Sequence, residues 1–186
     1  AYAASALGLI GDTSSIDILC TSLGDEHVLV RLHSIEALSR IGIPSVEALI
    51  FCLTSGREKV REGACDALGF IGDTRAKDPL IHTLDLYDSS YENAKNALVR
   101  IGEPAVDTLI LHMNDGTVKN KAFIAEVLGS IGDNKAVPCL CNALLNDDDP
   151  VKIASAAALG SIGNKGAVPF LCTLLDGSYS DSVTIS

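Results

Sequence analysis

The sequence contains no tryptophan and only one methionine among its 186 residues, and aromatic residues make up just 4% of it. A β-sheet is usually rich in aromatic and β-branched residues, so this scarcity argues against a sheet protein. Hydrophobic residues nevertheless account for 47% of the chain, and Ala, Leu and Ile supply most of them. Ala and Leu are among the best helix formers. The composition therefore favours an all-α protein.

Long apolar runs and basic patches are missing as well. A membrane-spanning helix needs about 18 or more apolar residues, whereas the longest candidate, residues 46–53, has eight and contains Glu47. The net charge is −10, and the basic residues are scattered singly. Because nucleic-acid binding begins with a basic patch that attracts phosphate, the sequence predicts no nucleic-acid partner and no membrane partner.

Motifs that carry catalysis or hold a cofactor are also lacking. None of the four histidines is followed by Glu, and no Gly-x-Gly-x-x-Gly or P-loop pattern occurs. The acidic run 147–149 lacks the Gly and Glu of an EF-hand loop, and we expect Asp149 to cap a helix that Pro150 begins. We therefore predict a protein with no catalytic residues, no metal and no other cofactor.

A six-residue phrase, Ala-Leu-x-x-Ile-Gly, recurs along the whole sequence, with Val in place of Ala in its fifth occurrence. Its final glycines are Gly11, Gly42, Gly72, Gly102, Gly132 and Gly163. The intervals between them are 31, 30, 30, 30 and 31 residues, a regularity typical of repeat proteins. The phrase therefore predicts six repeats of 30–31 residues.

Each repeat has the pattern of two helices. In the third repeat, Val60, Ala64 and Leu68 recur at helical spacing before the glycine, and a left-handed glycine is a common end to a helix. A second periodic stretch follows. Four repeats join the helices through Gly-Asp or Gly-Asn, whereas the second and fourth use a link one residue shorter that contains Pro44 or Pro104. Because proline suits the first helical position, we expect the second helix to begin there.

One pair of helices cannot bury its own apolar face, so stacked repeats must share a continuous core. The sequence thus predicts an all-α fold, an α-solenoid of about six stacked two-helix repeats in a single domain over residues 1–186. The predicted repeats span residues 1–26, 27–57, 58–88, 89–117, 118–148 and 149–176, and residues 177–186 begin a further repeat or a tail. Neither end has the polar face of a capping repeat, so we expect the chain either to be part of a longer protein or to have its ends capped by something outside this sequence.

The third repeat carries the fullest version of the pattern, in Val60-Arg61, Ala67-Leu68-Gly69 and Ile71-Gly72-Asp73. These residues resemble the HEAT-like repeats of the phycocyanobilin-lyase type, and the resemblance extends over essentially the whole chain. It implies a HEAT-like solenoid and, as one alternative function, a bilin lyase or isomerase component. Some HEAT-repeat enzymes, such as deoxyhypusine hydroxylase, hold iron with His-Glu pairs, and this sequence has none.

Six cysteines invite a metal-site or disulfide interpretation. Counted from the glycines, Cys20, Cys141 and Cys172 share one column, which Ile fills in the other three repeats. A column that alternates Cys with Ile indicates core positions, because free Cys packs as a small hydrophobic residue. Cys139 is two residues from Cys141 on the same helix, so the two point to different faces. We predict reduced, structural cysteines and a reducing compartment such as the cytoplasm.

The second helices of a solenoid usually line its concave face, where partners bind. A helical projection gives an outward column that includes Cys139 and Phe170, besides an acidic column and a third, mixed one. From these columns we predict ten partner-binding residues: Asp17, Ile18, Thr21, Glu47, Phe51, Asp78, His82, Asp107, Thr108 and Leu111. Exposed apolar groups beside a row of acids suit a protein or peptide with basic and apolar side chains.

These features favour a non-catalytic scaffold for protein–protein interaction that binds its partner on the concave face. A subunit or domain of a bilin lyase or isomerase is an alternative that rests on the resemblance, and a structural spacer in a larger protein is a second alternative. Single exposed apolar residues are normal on protein surfaces, so the three columns do not decide among these functions.

Overall fold

The computed structural model describes residues 1–86, 88–115 and 118–175. These residues form twelve α-helices and no strand, as the sequence predicts. The first helices of the repeats are α1 (Tyr2–Ile10), α3 (Val28–Ile41), α5 (Glu58–Ile71), α7 (Ser90–Ile101), α9 (Val118–Ile131) and α11 (Asp149–Ile162). The second helices are α2 (Ile16–Ser22), α4 (Val46–Cys52), α6 (Lys77–Thr83), α8 (Glu103–Asp115), α10 (Val137–Asn146) and α12 (Val168–Leu175).

The chain divides after Ala105 into two compact units, and the boundary falls inside α8. The N-terminal unit contains α1 to α7, and the C-terminal unit contains most of α8 and all of α9 to α12. The single domain and the repeat boundaries expected from the sequence stay predictions, and residues 177–186 lie outside the described part of the chain.

Leucine side chains dominate the core of both units. In the N-terminal unit, Leu38, Leu68 and Leu98 are fully buried on first helices, opposite Leu49 and Leu80 on second helices. Leu84, just after α6, is also fully buried, as the helical projection requires. The C-terminal unit repeats the pattern with Leu109, Leu128, Leu140, Leu144 and Leu159. Burying a leucine side chain contributes about 1.5–3 kcal/mol, so leucines on the first and the second helices together stabilise each unit.

Glycines let some first helices approach closely. Gly8, Gly69 and Gly129 face Ala37, Ala97 and Ala158 of the next first helix, and an added Cβ would lie 2.5, 2.8 and 2.6 Å from the respective alanine Cα atoms. Ser39 takes the equivalent position on α3, and α3 packs less extensively on α5 than α1 packs on α3 or α5 on α7. The small residue therefore helps to determine which first helices pair closely.

The six glycines of the repeated phrase all have positive φ, from 69° to 79°. In the longer links, Gly72 is left-handed with ψ of 19°, and Gly11 and Gly163 match it. In the two proline links, Gly42 and Gly102 instead have ψ of −134° and −138°, close to a region that essentially only glycine adopts. The predicted left-handed helix end is confirmed for these longer links and wrong for the proline links, where the chain must turn within one residue fewer.

A single turn of 3-10 helix, not predicted from the sequence, precedes the second helix in the longer links. The residue after each glycine caps this turn by accepting a hydrogen bond from the N–H group two residues later, at 2.8 or 2.9 Å. These capping residues are Asp12, Asp73, Asp133 and Asn164. The Gly-Asp and Gly-Asn pairs therefore both end one helix and begin the next.

Three helical starts differ from the prediction by one residue. Asp148, not Asp149, is the N-cap of α11, and its side chain makes no capping hydrogen bond. The 3-10 turn before α4 begins at Ile43, and α8 begins at Glu103, each one residue before its proline. All N–H groups of a first turn lack an intrahelical acceptor, so proline is accepted at the second position as well as the first.

All six cysteines are free thiols. Cys20 and Cys141 are buried, which confirms the predicted core column, but Cys172 on α12 is exposed. The neighbouring α4 packs on α2, the helix that carries Cys20, whereas α12 is the last helix in the described part of the chain. The predicted outward placement of Cys139 was wrong, since this residue is buried. Its thiol donates to the Ala136 carbonyl oxygen at 3.1 Å.

Candidate partner-binding face

Three predicted acids occupy equivalent places in the N-terminal unit. Asp17, Glu47 and Asp78 are the second residues of α2, α4 and α6, and each is exposed. An acid in the first turn of a helix interacts with the partial positive charge of the N-terminus, which contributes about 0.3–1 kcal/mol. These three acids therefore stabilise the second helices, independently of any role in partner binding.

The charge of Glu47 is balanced within the chain. Arg75 donates through Nη1 to Glu47 Oε1 at 2.8 Å, and through Nε and Nη2 to the Asp73 carboxylate at 3.0 and 2.9 Å. Hydrogen bonds from the Arg75 side chain and backbone lower the pKa of Asp73 to about 2. The expected row of acids is therefore partly neutralised at Glu47.

The predicted apolar residues of the N-terminal unit are well exposed. Ile18 on α2 and Phe51 on α4 have 59% and 77% of their surfaces accessible to solvent. Thr21 and His82 are also exposed. The Thr21 hydroxyl donates to the Asp17 carbonyl oxygen at 3.0 Å, so this side chain is partly committed to its own helix. Phe51 has the largest apolar area to gain from being covered.

Asp17, Thr21 and Phe51 line one open groove of about 620 Å3. Its other lining residues are Cys20, Ala48, Cys52, Thr54, Ser55, Arg57 and Val60. Ligand sites commonly enclose about 300–1,000 Å3, so the groove is large enough for one or two side chains of a partner. The remaining predicted residues of this unit, Ile18, Glu47, Asp78 and His82, lie outside the lining.

Arg57 adds a positive charge to this groove that the column patterns did not indicate. Its Nη2 donates to the Gly24 carbonyl oxygen at 2.6 Å, which connects the loop after α2 to the loop after α4. A Cβ added at Gly24 would lie 2.7 Å from the Arg57 guanidinium carbon, so this contact depends on glycine. The groove therefore combines a carboxylate from Asp17 and a guanidinium from Arg57 with apolar side chains.

The other three predicted residues lie on α8 in the C-terminal unit. Asp107 is exposed, Thr108 is half-buried, and Leu111 has 64% of its surface accessible. Their outward orientation agrees with the helical projection. None of the three lines the groove between α2 and α4.

A second apolar surface lies on the first helices, where no partner residue was predicted. Leu32 on α3 and Phe70 on α5 have 54% and 57% of their surfaces exposed, and both line a cavity of about 360 Å3. The Arg100 guanidinium carbon lies 4.3 Å from the centre of the Phe70 ring, a cation–π contact. Ser39, which replaces the closely packed glycine, lines the same cavity. The sequence signal for this cavity was therefore a serine at the phrase position that Gly8, Gly69 and Gly129 occupy in other repeats.

The arginine of the Val-Arg pair holds the loop before its own helix. Arg31 Nη1 donates to the Asp25 and Glu26 carbonyl oxygens at 2.8 and 3.1 Å. Arg61, in the same position of the next repeat, donates to the Ser55 carbonyl oxygen. The pair that carries the family resemblance therefore stabilises the links between repeats.

Arg61 also pairs with Asp88 in the following loop. The Asp88 carboxylate accepts a hydrogen bond from the Ser90 N–H at 2.9 Å. Burial raises the pKa of Asp88, but the hydrogen bonds from Ser90 and Arg61 outweigh it, so the pKa is lowered overall. Since Arg61 is buried, this ion pair is a structural contact.

In the part of the chain that the structure describes, no three His, Cys, Asp or Glu side chains are placed to hold a metal ion together. Likewise, no helix within residues 1–86, 88–115 and 118–175 has the length and apolar character to cross a membrane. The groove between α2 and α4 is the place where several predicted partner residues come together, and it is the candidate functional site.

The model of the HEAT repeat family matches residues 1–54 and 106–185. This match covers more than half of the chain, and the described helices follow the paired order of such repeats. The chain therefore belongs to the HEAT repeat family, and its fold is an α-solenoid, as the repeated phrase predicted. No curated protein matches this sequence.

Several solved structures resemble the chain. Human deoxyhypusine hydroxylase in complex with glycerol is 24% identical, with 93% of this chain and 71% of that one covered and a TM-score of 0.46. The complex of CpcE and CpcF of phycocyanin lyase from Nostoc sp. PCC7120 is 24% identical, with coverages of 100% and 83% and a TM-score of 0.47. A designed armadillo repeat protein is 17% identical, with coverages of 87% and 92% and a TM-score of 0.39. Likeness at this level carries no inference about activity.

Proposed function

We propose that this chain is a non-catalytic protein-interaction module, and that the groove between α2 and α4 binds a segment of a protein partner. The observation that carries this proposal is the groove of about 620 Å3 beside Phe51, a side chain that is 77% exposed. Covering such an aromatic side chain removes a large apolar area from water, which is the dominant favourable contribution to most protein association.

The partner segment is expected to carry an apolar side chain next to a basic one. The apolar side chain would pack against Phe51 and Ala48, and the basic one would pair with Asp17. Exposed ion pairs contribute only about 0.2–1 kcal/mol, so Phe51 should supply most of the affinity and Asp17 the preference for a basic neighbour. Arg57 already donates to the Gly24 carbonyl, which makes it better suited to a partner carbonyl group than to a second strong ion pair.

The other predicted residues extend the proposal. Ile18, Glu47, Asp78 and His82 would widen the contact on the second helices of the N-terminal unit, around the groove. Asp107, Thr108 and Leu111 would form a separate contact on α8. The six free thiols suit a reducing compartment, so we propose the cytoplasm as the location.

A displayed peptide library tests the proposal without knowledge of the natural partner. We expect the wild-type chain to select peptides in which Leu, Ile or Phe adjoins Lys or Arg. The dissociation constant of one selected peptide is then measured by calorimetry for the wild type and for Phe51→Asp. Loss of a central aromatic contact removes about 2 kcal/mol or more, so Phe51→Asp should weaken binding by about 30-fold or more.

Phe70→Asp is the matched control, because Phe70 is also exposed, at 57%, but lies on α5 outside the groove lining. It should leave the dissociation constant unchanged. Asp17→Lys should weaken a peptide with a basic residue more than the same peptide with Ala in that place. Failure to select any peptide would favour the spacer function, and an effect of Phe70→Asp without one of Phe51→Asp would contradict the groove.

A further inference from the structure

The first helices of the N-terminal unit carry a row of exposed residues in which apolar and basic side chains alternate. The fourth residue of the repeated phrase is Leu9, Arg40, Phe70 and Arg100 in the first four repeats, and all four are exposed. They lie on α1, α3, α5 and α7, each of which packs on the next. Arginine therefore occupies this position on the helices on either side of Phe70, in a chain whose net charge is −10.

The gap between α3 and α5 has room for an apolar side chain from outside. Phe70 lines a cavity of about 360 Å3, whose other lining residues are Leu32, Ile35, Glu36, Ser39 and Arg40. Ligand sites commonly enclose about 300–1,000 Å3, so the cavity lies within their range. Leu32 and Phe70 are both well exposed. Covering them removes apolar area from water, which is the dominant favourable contribution to most protein association.

Contacts along α5 hold the Arg100 side chain beside Phe70. Its guanidinium carbon lies 4.3 Å from the centre of the Phe70 ring, and a Cβ added at Gly69 would lie 3.2 Å from its Cδ atom. An arginine over an aromatic ring keeps N–H donors in the plane of its guanidinium, where they fit a carboxylate. The Asp66 carboxylate, one turn before Phe70, accepts a hydrogen bond from the Asn93 side chain at 3.0 Å. Arg100 is therefore placed to bind a carboxylate from a partner.

Arg40, which lines the cavity on α3, is paired within its own helix. Its Nη2 donates to Glu36 Oε1 at 2.8 Å, one turn earlier. Exposed pairs at this spacing are weak, so a partner carboxylate can compete for Arg40, while Glu36 repels that carboxylate. Exposed charges farther away than about 8–10 Å are largely screened at physiological ionic strength. These nearby groups, and not the net charge of the chain, therefore determine which partner fits.

We propose that the Phe70 surface, which consists of this cavity together with Arg100, binds a protein segment in which an apolar side chain adjoins an acidic one. The apolar side chain enters the cavity against Phe70 and Leu32, and the carboxylate pairs with Arg100. A second acidic residue, on the other side of the apolar one, pairs with Arg40 when it displaces Glu36. This charge preference is opposite to that of the groove between α2 and α4, and neither proposal depends on the other.

The first test uses a displayed library of random peptides and the full chain with Phe51→Asp, which removes the main contact of the groove. We expect the selected peptides to place Leu, Ile or Phe next to Asp or Glu. Selection of no such peptide by this variant would overturn the proposal. That outcome is distinct from failure of the groove, which is judged by whether the wild type selects peptides with a basic residue.

The dissociation constant of one selected acidic peptide is then measured by calorimetry. Phe70→Asp removes the central aromatic contact and adds a repelling charge, so it should weaken binding by about 30-fold or more. Arg100→Gln should weaken binding by up to about fivefold. Glu36→Gln should tighten binding by a similar factor, because it frees Arg40 and removes a repelling carboxylate. A purely structural effect of these substitutions would not change sign between Arg100→Gln and Glu36→Gln.

Ile153→Asp is the matched control, because Ile153 is also an exposed apolar residue on a first helix but belongs to the C-terminal unit. It should leave the dissociation constant unchanged, and circular dichroism should show the helical content of the wild type in every variant. Unchanged binding by a folded Phe70→Asp variant would overturn the proposal. Equal binding of a peptide whose apolar residue is replaced by Ala would overturn it as well, because the surface would then accept any anionic peptide.

Discussion

Gly129 on α9 lies directly against Ala158 on α11, so that an added Cβ would be 2.6 Å from the Ala158 Cα atom and 2.8 Å from its Cβ atom. Gly160 occupies the same position in the next repeat, on α11 itself, and an added Cβ there would have nothing within 4 Å. Two glycines that look identical in the repeated pattern therefore have opposite surroundings.

We expect Gly129→Ala to lower stability and Gly160→Ala to raise it. In the first variant, α9 and α11 must move apart, and overpacking of this kind costs about 1–3 kcal/mol. Replacing Gly by Ala within a helix returns about 1 kcal/mol, which only partly offsets that cost. The second variant gains the helix propensity alone. The stability of both variants is measured as the midpoint of thermal unfolding, followed by far-ultraviolet circular dichroism. An equal shift of the midpoint in the two variants would contradict the close approach of α9 to α11.

Most of the fold could be predicted because the residue pattern within each repeat is sufficient to identify its two helices. From the second repeat onwards, the first helices bury the first two residues of the repeated phrase, which are Ala or Val followed by Leu. The glycine at the end of the phrase ends each helix. The errors arose where conformation depends on residues outside the phrase. The ψ angle of Gly42 depends on how the short link must turn, and the exposure of Cys172 depends on what packs on α12.

The candidate site could be predicted only in part. A helical projection was sufficient to place Phe51 and Asp17 on the surface, because it depends only on spacing along one helix. Arg57 reaches the groove because its guanidinium binds the Gly24 carbonyl, 33 residues away in sequence. Contacts of this kind between loops and neighbouring helices have no local sequence signal.

Asp73 caps the 3-10 turn before α6, where its Oδ1 accepts a hydrogen bond from the Arg75 N–H at 2.9 Å. Asp73→Ala should lower stability by about 1 kcal/mol through loss of the cap. Asp73→Asn should keep most of that contribution, because Asn164 accepts the equivalent bond from the Gly166 N–H at 2.8 Å. Unfolding midpoints near neutral pH compare the two variants, and an equal loss in both would show that the charge, and not the cap, is what matters.

The same aspartate should make stability depend on pH in the acid range. Its pKa falls from 3.8 to about 2 in the folded chain, chiefly through hydrogen bonds from Arg75. A lowered folded-state pKa stabilises the protein above about pH 4, and this contribution is lost as the pH falls towards 2. The difference in unfolding midpoint between wild type and Asp73→Asn should therefore shrink between about pH 7 and about pH 3. A constant difference would contradict the pairing with Arg75.

Arg61 and Asp88 are expected to be energetically coupled. Arg61→Met leaves the Asp88 carboxylate without its guanidinium, whereas Asp88→Asn keeps an acceptor for the Ser90 N–H but removes the charge. A double-mutant cycle from chemical denaturation should give a coupling of about 0.5–3 kcal/mol. The exposed pair Arg40–Glu36, at 2.8 Å, is the matched control, and its cycle should give about 0.2–0.5 kcal/mol. Equal coupling in the two cycles would mean that burial of Arg61 adds nothing to its ion pair.

Gly42 and Gly72 end their helices with φ of 75° and 72° but differ in ψ, which is −134° for Gly42 and 19° for Gly72. Space is not limiting at either residue, since an added Cβ would meet no atom closer than 3.9 Å at Gly42 and none within 4 Å at Gly72. Asparagine tolerates the left-handed conformation, so Gly72→Asn should cost at most about 1 kcal/mol. Gly42→Asn forces a side chain into a region almost reserved for glycine and should cost about 1–3 kcal/mol. The midpoints of thermal unfolding measure the two losses of stability. Equal midpoints for the two variants would contradict a difference in backbone conformation between the proline links and the longer links.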